Sequence, residues 1–449
     1  MSGLHYLPLT DREREEMLRD LEIDSVEELF NDIPEEVRFA GEMNLSPALA
    51  EVEIESHMGS LAAKNFNLKE YPSFLGGGVY DHFLPAIVKH VLGRSEFYTS
   101  YTPYQAEVSQ GVLQAIFEYQ TMICQLTGME VANASMYDGA TAVAEAAVMS
   151  CGFTRRGKVL VSRSLHPAYR QVLKTYFDAR ELLLEEIPLQ EGCLDRAEVE
   201  ARVDEETAAL VVQNPNFLGM LENYKGLAEL LHGKGAKLVA AVDPLSLPLV
   251  KAPVEYGADI VVGEGQSMGN PPSYGGPLLG FYAATREFIR RMPGRISGET
   301  VDKEGRRGFV LTLQTREQHI RRERATSNIC SNQALNALAG AVFLAALGPQ
   351  GMKEVAGLCL QKSAYAREKI ESLPGYRLAY PGSYFKEFPV VLPGEPAELN
   401  RKLLETGIIG GCDIGGYYPE LKKTVLLCVT EKRTREEIDK LVSHMEGWQ

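Results

Sequence analysis

Residues 110–290 alternate short, β-rich apolar runs with helix-length amphipathic stretches, and this alternation constrains the fold more than any other feature of the chain. The apolar runs begin at Lys158, Leu182, Ala208, Lys237, Asp259 and Pro277. Short buried strands that alternate with helices are typical of a mostly parallel, doubly wound sheet that is covered by helices on both faces. The sequence therefore predicts an α/β fold.

The segments on either side of this region have different patterns. Residues 1–65 are highly charged, and Thr10 followed by Glu13 is a capping-box signal for a helix. Residues 71–78 and 97–113 lack clean periodicity and are predicted to be ordered loops. We therefore predict an N-terminal helical arm over 1–65, a large α/β domain over 66–330 and a smaller C-terminal α+β domain over 331–449.

Composition and charge exclude several classes of function. The net charge of −15 disfavours nucleic-acid binding, which depends mainly on lysine and arginine. The sequence contains no run of about 18 uninterrupted apolar residues, so no membrane span is predicted. Residues 1–18 lack the features of a signal peptide. The seven dispersed cysteines are expected to be reduced thiols in a cytoplasmic protein, and no metal site is expected because no histidine or cysteine pair has ligand spacing.

Polar residues follow several of the predicted strands, where they are expected to meet at one edge of the sheet. Gly139 and Thr141 open a helix whose backbone N–H groups could hold a phosphate. His166 follows the first apolar run and Asp243 ends the fourth. A phosphate cup, a flat ring that stacks and an aspartate for a pyridinium nitrogen are what pyridoxal phosphate requires. The residues at 76–78 could be a second phosphate cradle or simply a flexible glycine turn.

The lysine that a pyridoxal enzyme needs for its Schiff base is missing. Residues 252–302 contain no lysine, and Ser267 lies about where the amine would be required. A serine cannot form an aldimine. The sequence therefore predicts the scaffold of a pyridoxal enzyme without its covalent anchor, so that no residue of this chain is catalytic.

Four segments carry a resemblance to a known family. They are residues 101–111 (YTPYQAEVSQG), 119–122 (YQTM), 133–142 (NASMYDGATA) and 322–335 (RERATSNICSNQAL). The chain resembles the P-protein family of the glycine cleavage system over essentially its whole length. Within this family it is most similar to the non-catalytic alpha subunit of the bacterial two-subunit form.

The resemblance implies a fold-type-I, aspartate aminotransferase-like transferase fold. It also implies a homologous beta subunit that carries pyridoxal phosphate on its own lysine, and two alpha–beta pairs that form a heterotetramer. The complex is expected to decarboxylate glycine and to transfer the aminomethyl group to the lipoyl arm of the H-protein. In the chain itself, Gln266-Ser267 replaces a His-Lys pair, while Gly139, Thr141, His166 and Asp243 are expected to be the relic of a cofactor pocket.

Two segments are expected to line a cleft or interface that is shared with the partner. Their candidate residues are Tyr98, Tyr101 and Tyr104 in the first segment, and Thr326, Ser327 and Asn328 in the second. Tyrosines offer rigid, amphipathic contact area, and the resemblance places the second segment where a loop reaches the partner's phosphate. In the alternative interpretation the tyrosines pack in the core and Ser327 and Asn328 cap the following helix.

Two other functions remain open at this point. The chain could be a structural or regulatory pseudoenzyme that only stabilises its partner. It could also be a self-sufficient pyridoxal enzyme that uses a lysine elsewhere in the sequence.

Overall fold

The structure is a computed structural model that describes residues 9–39 and 41–448. Its contacts divide the chain into two compact units, residues 1–65 and residues 66–449. The expectation that no signal peptide is present concerns residues 1–18, of which 1–8 lie outside the described residues. The predicted boundary between 330 and 331 lies inside the second unit and stays a prediction.

The first unit contains two α-helices among its described residues, α1 (Asp11–Asp20) and α2 (Glu51–Ala62). The predicted capping box opens α1: the Glu13 N–H donates to Thr10 Oγ1 at 3.3 Å, and the Thr10 N–H donates to Glu13 Oε2 at 2.8 Å. No described residue of this unit is buried. The described residues of this unit therefore form no hydrophobic core of their own.

The second unit is built from eleven further α-helices and fifteen strands among its described residues. The helices are α3 (Ala86–Leu92), α4 (Ser95–Tyr98), α5 (Gln110–Thr127), α6 (Gly139–Thr154), α7 (Pro167–Asp178), α8 (Arg196–Arg202), α9 (Leu227–Gly233), α10 (Gln318–Arg321), α11 (Ala334–Glu371), α12 (Pro396–Glu405) and α13 (Arg435–Glu446). The strands are β1 (Val131–Ala132), β2 (Lys158–Ser162), β3 (Leu183–Ile187), β4 (Leu189–Gln190), β5 (Cys193–Leu194), β6 (Thr207–Asn214), β7 (Lys237–Val242), β8 (Ile260–Glu264), β9 (Gly280–Ala284), β10 (Ile296–Val301), β11 (Arg307–Thr312), β12 (Arg377–Leu378), β13 (Glu387–Val391), β14 (Cys412–Asp413) and β15 (Thr424–Cys428).

The main sheet has seven strands in the order β1-β9-β8-β7-β6-β2-β3. The strands β3, β2, β6, β7 and β8 run parallel to one another. At one edge β9 pairs antiparallel with β8, and β1 pairs antiparallel with β9. Side chains of alternate residues of β7 enter separate hydrophobic clusters on the two faces. The predicted, mostly parallel α/β sheet is therefore confirmed.

One loop prediction is partly wrong. Residues 97–113 were expected to form a continuous loop, but α5 already begins at Gln110. Leu113, Ile116 and Tyr119 recur at helical spacing and are buried. The start of α5 was not predicted because the preceding residues 98–109 are polar and aromatic and show no helical periodicity.

The C-terminal residues form a four-stranded antiparallel sheet, ordered β12-β13-β15-β14. The long helix α11 packs against both sheets, because Phe343 belongs to the core of the main sheet and Ile370 to the core of the C-terminal sheet. Its backbone is broken at Gly348, where φ is 59°. By length and composition α11 could span a membrane, but this packing already explains its apolar side chains.

The strand-like residues 73–75 join the C-terminal sheet. Ser73 bridges to Ile409, and Leu75 bridges to Leu427. The glycine-rich residues 76–78 follow directly and approach His166, at the end of the main sheet. The site described next lies at this junction of the two sheets.

Candidate functional site

The carboxyl ends of the parallel strands form a small cavity where the two sheets meet. His166 and Asp243 both line it, as predicted from their places after β2 and β7. Glu264, at the end of β8, and Glu387, at the start of β13, line it as well. Parallel strands place their carboxyl ends at one edge of a sheet, which explains why residues so far apart in sequence converge.

Two hydrogen bonds and a stacked tyrosine hold the ring of His166 in place. Its Nε2–H donates to the carbonyl of Gly77 at 2.7 Å, and its Nδ1 accepts from the Ala168 N–H at 3.1 Å. These bonds fix the tautomer, and burial lowers the pKa of His166. Tyr169 stacks on the imidazole with ring centroids 4.7 Å apart. A side chain of the same protein therefore covers one face of the ring.

Close packing requires glycine at positions 76 and 78, and a φ of +89° favours it at 77. A Cβ on Gly78 would lie 2.9 Å from His166 Nε2, and its φ of +109° is one that other residues rarely adopt. The Gly77 N–H donates to Glu387 Oε1 at 2.7 Å, so that a carboxylate already occupies this donor. The structure therefore supports neither the phosphate cradle nor the flexible turn.

Two carboxylates occupy the N-terminus of α6, where a phosphate was expected. The Gly139 N–H donates to Glu264 Oε2 at 3.0 Å, and the Thr141 N–H donates to Asp138 Oδ1 at 2.7 Å. The other oxygen of Glu264 accepts from the Gln266 and Leu279 N–H groups. Burial raises the pKa of Glu264 to about 7 in spite of these bonds. A phosphate dianion at this position would face two acidic side chains.

Asp243 is paired with a buried lysine. Lys386 Nζ lies 2.7 Å from Asp243 Oδ2, and the Leu245 N–H donates to Asp243 Oδ1 at 3.0 Å. Both carboxylate oxygens are therefore satisfied within the chain. Three residues of the site were not predicted from the sequence: Lys386, Tyr169 and Glu264. Lys386 precedes β13 without any local motif.

The loop after β8 carries Ser267 in place of the Schiff-base lysine. Ser267 and Gln266 are both buried. The amide of Gln266 accepts from the Tyr80 N–H at 3.0 Å and donates to the Tyr80 and Asn270 carbonyls at 3.1 and 2.7 Å. The glutamine thus holds the loop closed by neutral hydrogen bonds.

The residues of this pocket do not fit pyridoxal phosphate. The free volume of the cavity is about 30 Å³, whereas ligand pockets usually measure roughly 300–1,000 Å³. The stacking position, the phosphate position and the ring-nitrogen partner are each taken by a side chain of the protein. The predicted relic pocket is thus brought together by the fold but filled from within.

A neighbouring cluster contains His82, Cys359 and Glu431, whose possible metal-ligand atoms lie within 4.8 Å of one another. His82 Nδ1 lies 2.6 Å from Glu431 Oε2, and Lys386 Nζ lies 3.0 Å from His82 Nε2. A metal ion would compete with these hydrogen bonds and would be repelled by the ammonium group. The arrangement favours an internal hydrogen-bond network over a metal site.

The candidate interface residues differ in exposure. Tyr101 is 82% exposed and Tyr98 is 69% exposed, so neither packs in the core of the chain. Thr326 and Asn328 are also exposed, whereas Ser327 is buried. Ser327 Oγ donates to Glu145 Oε1 at 2.9 Å and accepts from the Ile329 N–H at 3.1 Å. It anchors its loop to α6 rather than capping the following helix.

Tyr104 connects the two candidate segments. Its hydroxyl accepts from Arg295 Nη2 at 2.7 Å, and the same nitrogen lies 3.4 Å from Cys330 Sγ. The fold therefore brings Tyr104 and the loop after Thr326 together around one guanidinium. The role of all six residues toward a partner stays a prediction.

The architecture and the remnant pocket define the fold-type-I class, the fold that many pyridoxal-phosphate-dependent enzymes share. A sphingosine-1-phosphate lyase from Burkholderia pseudomallei superposes with a TM-score of 0.65 over 91% of this chain and 92% of its own, at 15% identity, which is a likeness of fold alone. Residues 4–445 match the model of the family described as glycine cleavage system P-protein, and the chain belongs to that family.

Individual relatives match nearly the whole chain. Two proteins named "Probable glycine dehydrogenase (decarboxylating) subunit 1" are similar to it. That of Desulforamulus reducens is 56% identical, over 98% of this chain and 99% of its own. That of Carboxydothermus hydrogenoformans is 55% identical, over 99% and 100%. A crystal structure of glycine decarboxylase (P-protein) of the glycine cleavage system, in inhibitor-bound form, has a TM-score of 0.91 at 46% identity, over 99% of this chain and 100% of its own.

Proposed function

We propose that this chain is the non-catalytic alpha subunit of the P-protein of the glycine cleavage system. In this proposal a homologous beta subunit carries pyridoxal phosphate on its own lysine, and two alpha–beta pairs form a heterotetramer in the cytoplasm. The complex decarboxylates glycine and transfers the aminomethyl group to the lipoyl arm of the H-protein. The observation that carries the proposal is a cofactor pocket filled from within, in a chain 56% identical to a relative named subunit 1.

The residues of this chain then act by contact and positioning, and the reacting atoms belong to the partner. The exposed Tyr101 and Thr326 lie on the two segments that meet at Arg295, and they are the side chains expected to reach the partner's cleft. Tyr98 lies beside an apolar pocket of about 70 Å³ between the start of α11 and α5. An exposed aromatic next to an apolar pocket is typical of a protein interface.

A self-sufficient pyridoxal enzyme is the least favoured alternative. Among the described residues, Lys386 places its ammonium group 2.7 Å from the carboxylate of Asp243, which lines the pocket. This is the position expected for the ring nitrogen, at the end of the cofactor opposite the carbon that forms a Schiff base. Lys386 is therefore badly placed to replace the missing lysine.

The test uses this chain together with the homologous chain of the same genome whose loop keeps a His-Lys pair. Each chain is purified alone and both are purified together, and release of labelled carbon dioxide from carboxyl-labelled glycine is measured with lipoylated H-protein. We expect activity only in the mixture. Activity of this chain alone, with a visible aldimine band, would overturn the proposal.

Matched variants then separate a part in the enzyme from mere stabilisation of the partner. Ser267→Ala in this chain is expected to leave activity unchanged, whereas Lys→Ala at the partner's Schiff-base position abolishes it. If the partner alone, once stabilised, decarboxylates glycine at the rate of the mixture, the chain is only a structural or regulatory pseudoenzyme.

A further inference from the structure

A chain of four ionisable groups, two of them buried and two partly buried, crosses the junction between the two sheets. Lys386 Nζ lies 2.7 Å from Asp243 Oδ2 and 3.0 Å from His82 Nε2, and His82 Nδ1 lies 2.6 Å from Glu431 Oε2. The Lys386 side chain is 2% exposed, and that of Asp243 is 13% exposed. Asp243 follows β7 of the main sheet, whereas Lys386 precedes β13 of the C-terminal sheet. The chain of contacts therefore spans both sheets.

The hydrogen bonds define where the protons lie. An ammonium group only donates, so His82 Nε2 accepts from Lys386 and the ring proton of His82 lies on Nδ1, which donates to Glu431. Burial, the largest effect, lowers the pKa of His82, and the nearby ammonium of Lys386 lowers it further, which keeps the ring neutral. Lys386 is thus the cation of the network and the direct counter-charge of Asp243.

Aromatic and acidic neighbours complete the surroundings of Lys386. Its Nζ lies 3.6 Å from the centre of the Tyr80 ring, and the Tyr80 hydroxyl donates to Glu387 Oε2 at 2.7 Å. The buried thiols Cys359 and Cys428 also lie close enough to affect its charge. A cation that contacts an aromatic face, a carboxylate and a neutral imidazole is well stabilised without water.

We propose that the ammonium group of Lys386 takes the place of the cofactor's ring nitrogen as the cation that pairs with Asp243. The ion pair then joins the C-terminal sheet to the main sheet. On this account Asp243 is retained for folding, and the former cofactor pocket is a structural joint. The inference goes beyond the proposed function, because it holds whichever partner the chain has.

If the ion pair between Lys386 and Asp243 joins the two sheets, single and double substitutions of these residues should differ in their effect on stability. Lys386→Met leaves the carboxylate of Asp243 buried without its cation, and Asp243→Asn leaves the ammonium without its anion. Removal of one member of a buried ion pair is strongly destabilising, whereas joint replacement by neutral groups costs much less. The two single substitutions should therefore be strongly non-additive.

The experiment measures thermal unfolding of the full chain as wild type, both single variants and the double variant Asp243→Asn/Lys386→Met. We expect each single variant to lower the melting temperature by several degrees and the double variant to lie closer to wild type than either. If a single variant does not fold, the soluble double variant gives the same answer. A double variant that is no more stable or soluble than the single ones would overturn the proposal.

A matched control and a ligand measurement sharpen the test. Lys432→Met removes a neighbouring, more exposed ion pair with Asp81, 2.6 Å away, and combining it with Asp243→Asn should give additive losses. Pyridoxal phosphate, added to the wild-type chain and followed by absorbance, is expected to leave the melting temperature unchanged. Saturable binding of the cofactor with a stabilising shift would contradict the inference, because Lys386 would then have to leave Asp243.

Discussion

Arg295 Nη2 donates to the hydroxyl of Tyr104 at 2.7 Å, and the guanidinium lies 5.0 Å from the centre of the tyrosine ring. Arg295 is buried, and its Nε lies 3.4 Å from the equally buried carboxylate of Glu317. Its contact with Cys330 Sγ extends the same cluster to the loop that carries Thr326. One side chain therefore fixes the two segments that are expected to meet the partner.

Replacing this arginine should cost more than replacing the tyrosine hydroxyl. Arg295→Met removes the guanidinium beside the buried carboxylate of Glu317 and leaves His319 Nδ1, at 3.5 Å, as its neighbour. We therefore expect the free energy of unfolding to fall by about 3 kcal/mol. Tyr104→Phe removes one hydrogen bond of a half-exposed side chain, and a loss of about 1 kcal/mol is expected. Urea denaturation of the full chain measures both. Equal losses would show that the ion pair with Glu317 contributes little.

The exposed candidates should affect catalysis in the complex without affecting the fold of this chain. We expect Tyr101→Ala and Thr326→Ala each to lower glycine decarboxylation by about tenfold, which corresponds to about 1.4 kcal/mol of lost transition-state stabilisation. Leu183→Ala, an exposed change on the edge strand β3, is the matched control and should have no effect. Unchanged activity together with unchanged assembly would remove both residues from the shared cleft.

The buried carboxyl of Glu145 should make stability depend on pH. Burial raises its pKa to about 7, and Oε2 has no hydrogen-bond partner, while Oε1 accepts from Ser327. A folded-state pKa above the unfolded value means that the folded chain binds the extra proton, so this contribution to stability is full below about pH 4 and is lost as the pH rises toward 7.

Glu145→Gln keeps the shape of the neutral acid and removes the titration. Relative to wild type, the variant should gain up to about 3 kcal/mol in free energy of unfolding between pH 5 and pH 8. Denaturation curves across this range measure the gain. Glu229→Gln, at an exposed position of α9, should show no such trend, and a parallel trend in both variants would contradict the assignment.

Restoring the lysine alone should not restore cofactor binding. Ser267→Lys places an amine in the loop, but Tyr169 still covers His166 and Glu264 still occupies the Gly139 N–H. We expect no visible aldimine band after addition of pyridoxal phosphate, and no labelled lysine after borohydride reduction. A stable aldimine in this single variant would mean that the side chains filling the pocket move aside at little cost.

Local sequence patterns predict the strands of the main sheet and the polar residues that follow them. The strand order brings His166 and Asp243 together because both follow parallel strands, and the fold and family predicted from the motifs are confirmed.

The residues that fill the pocket could not be predicted in the same way. Lys386 meets Asp243 only because the C-terminal sheet packs on the main sheet, a contact between segments that are distant in sequence. Glu264 ends β8, just before the loop that carries Ser267, but the sequence alone does not show which way its side chain points. The division of residues 66–449 at position 330 and the roles of the interface residues stay predictions.

The filled pocket also has a consequence for how such a subunit matures in the cell. A ligand that binds only the native state raises its stability by mass action, so enzymes of this fold gain stability with the supply of their vitamin-derived cofactor. A chain that brings its own cation, carboxylates and aromatic ring to the same place has no such dependence. We expect it to fold completely without pyridoxal phosphate and to be ready for assembly before the proposed partner has bound its cofactor.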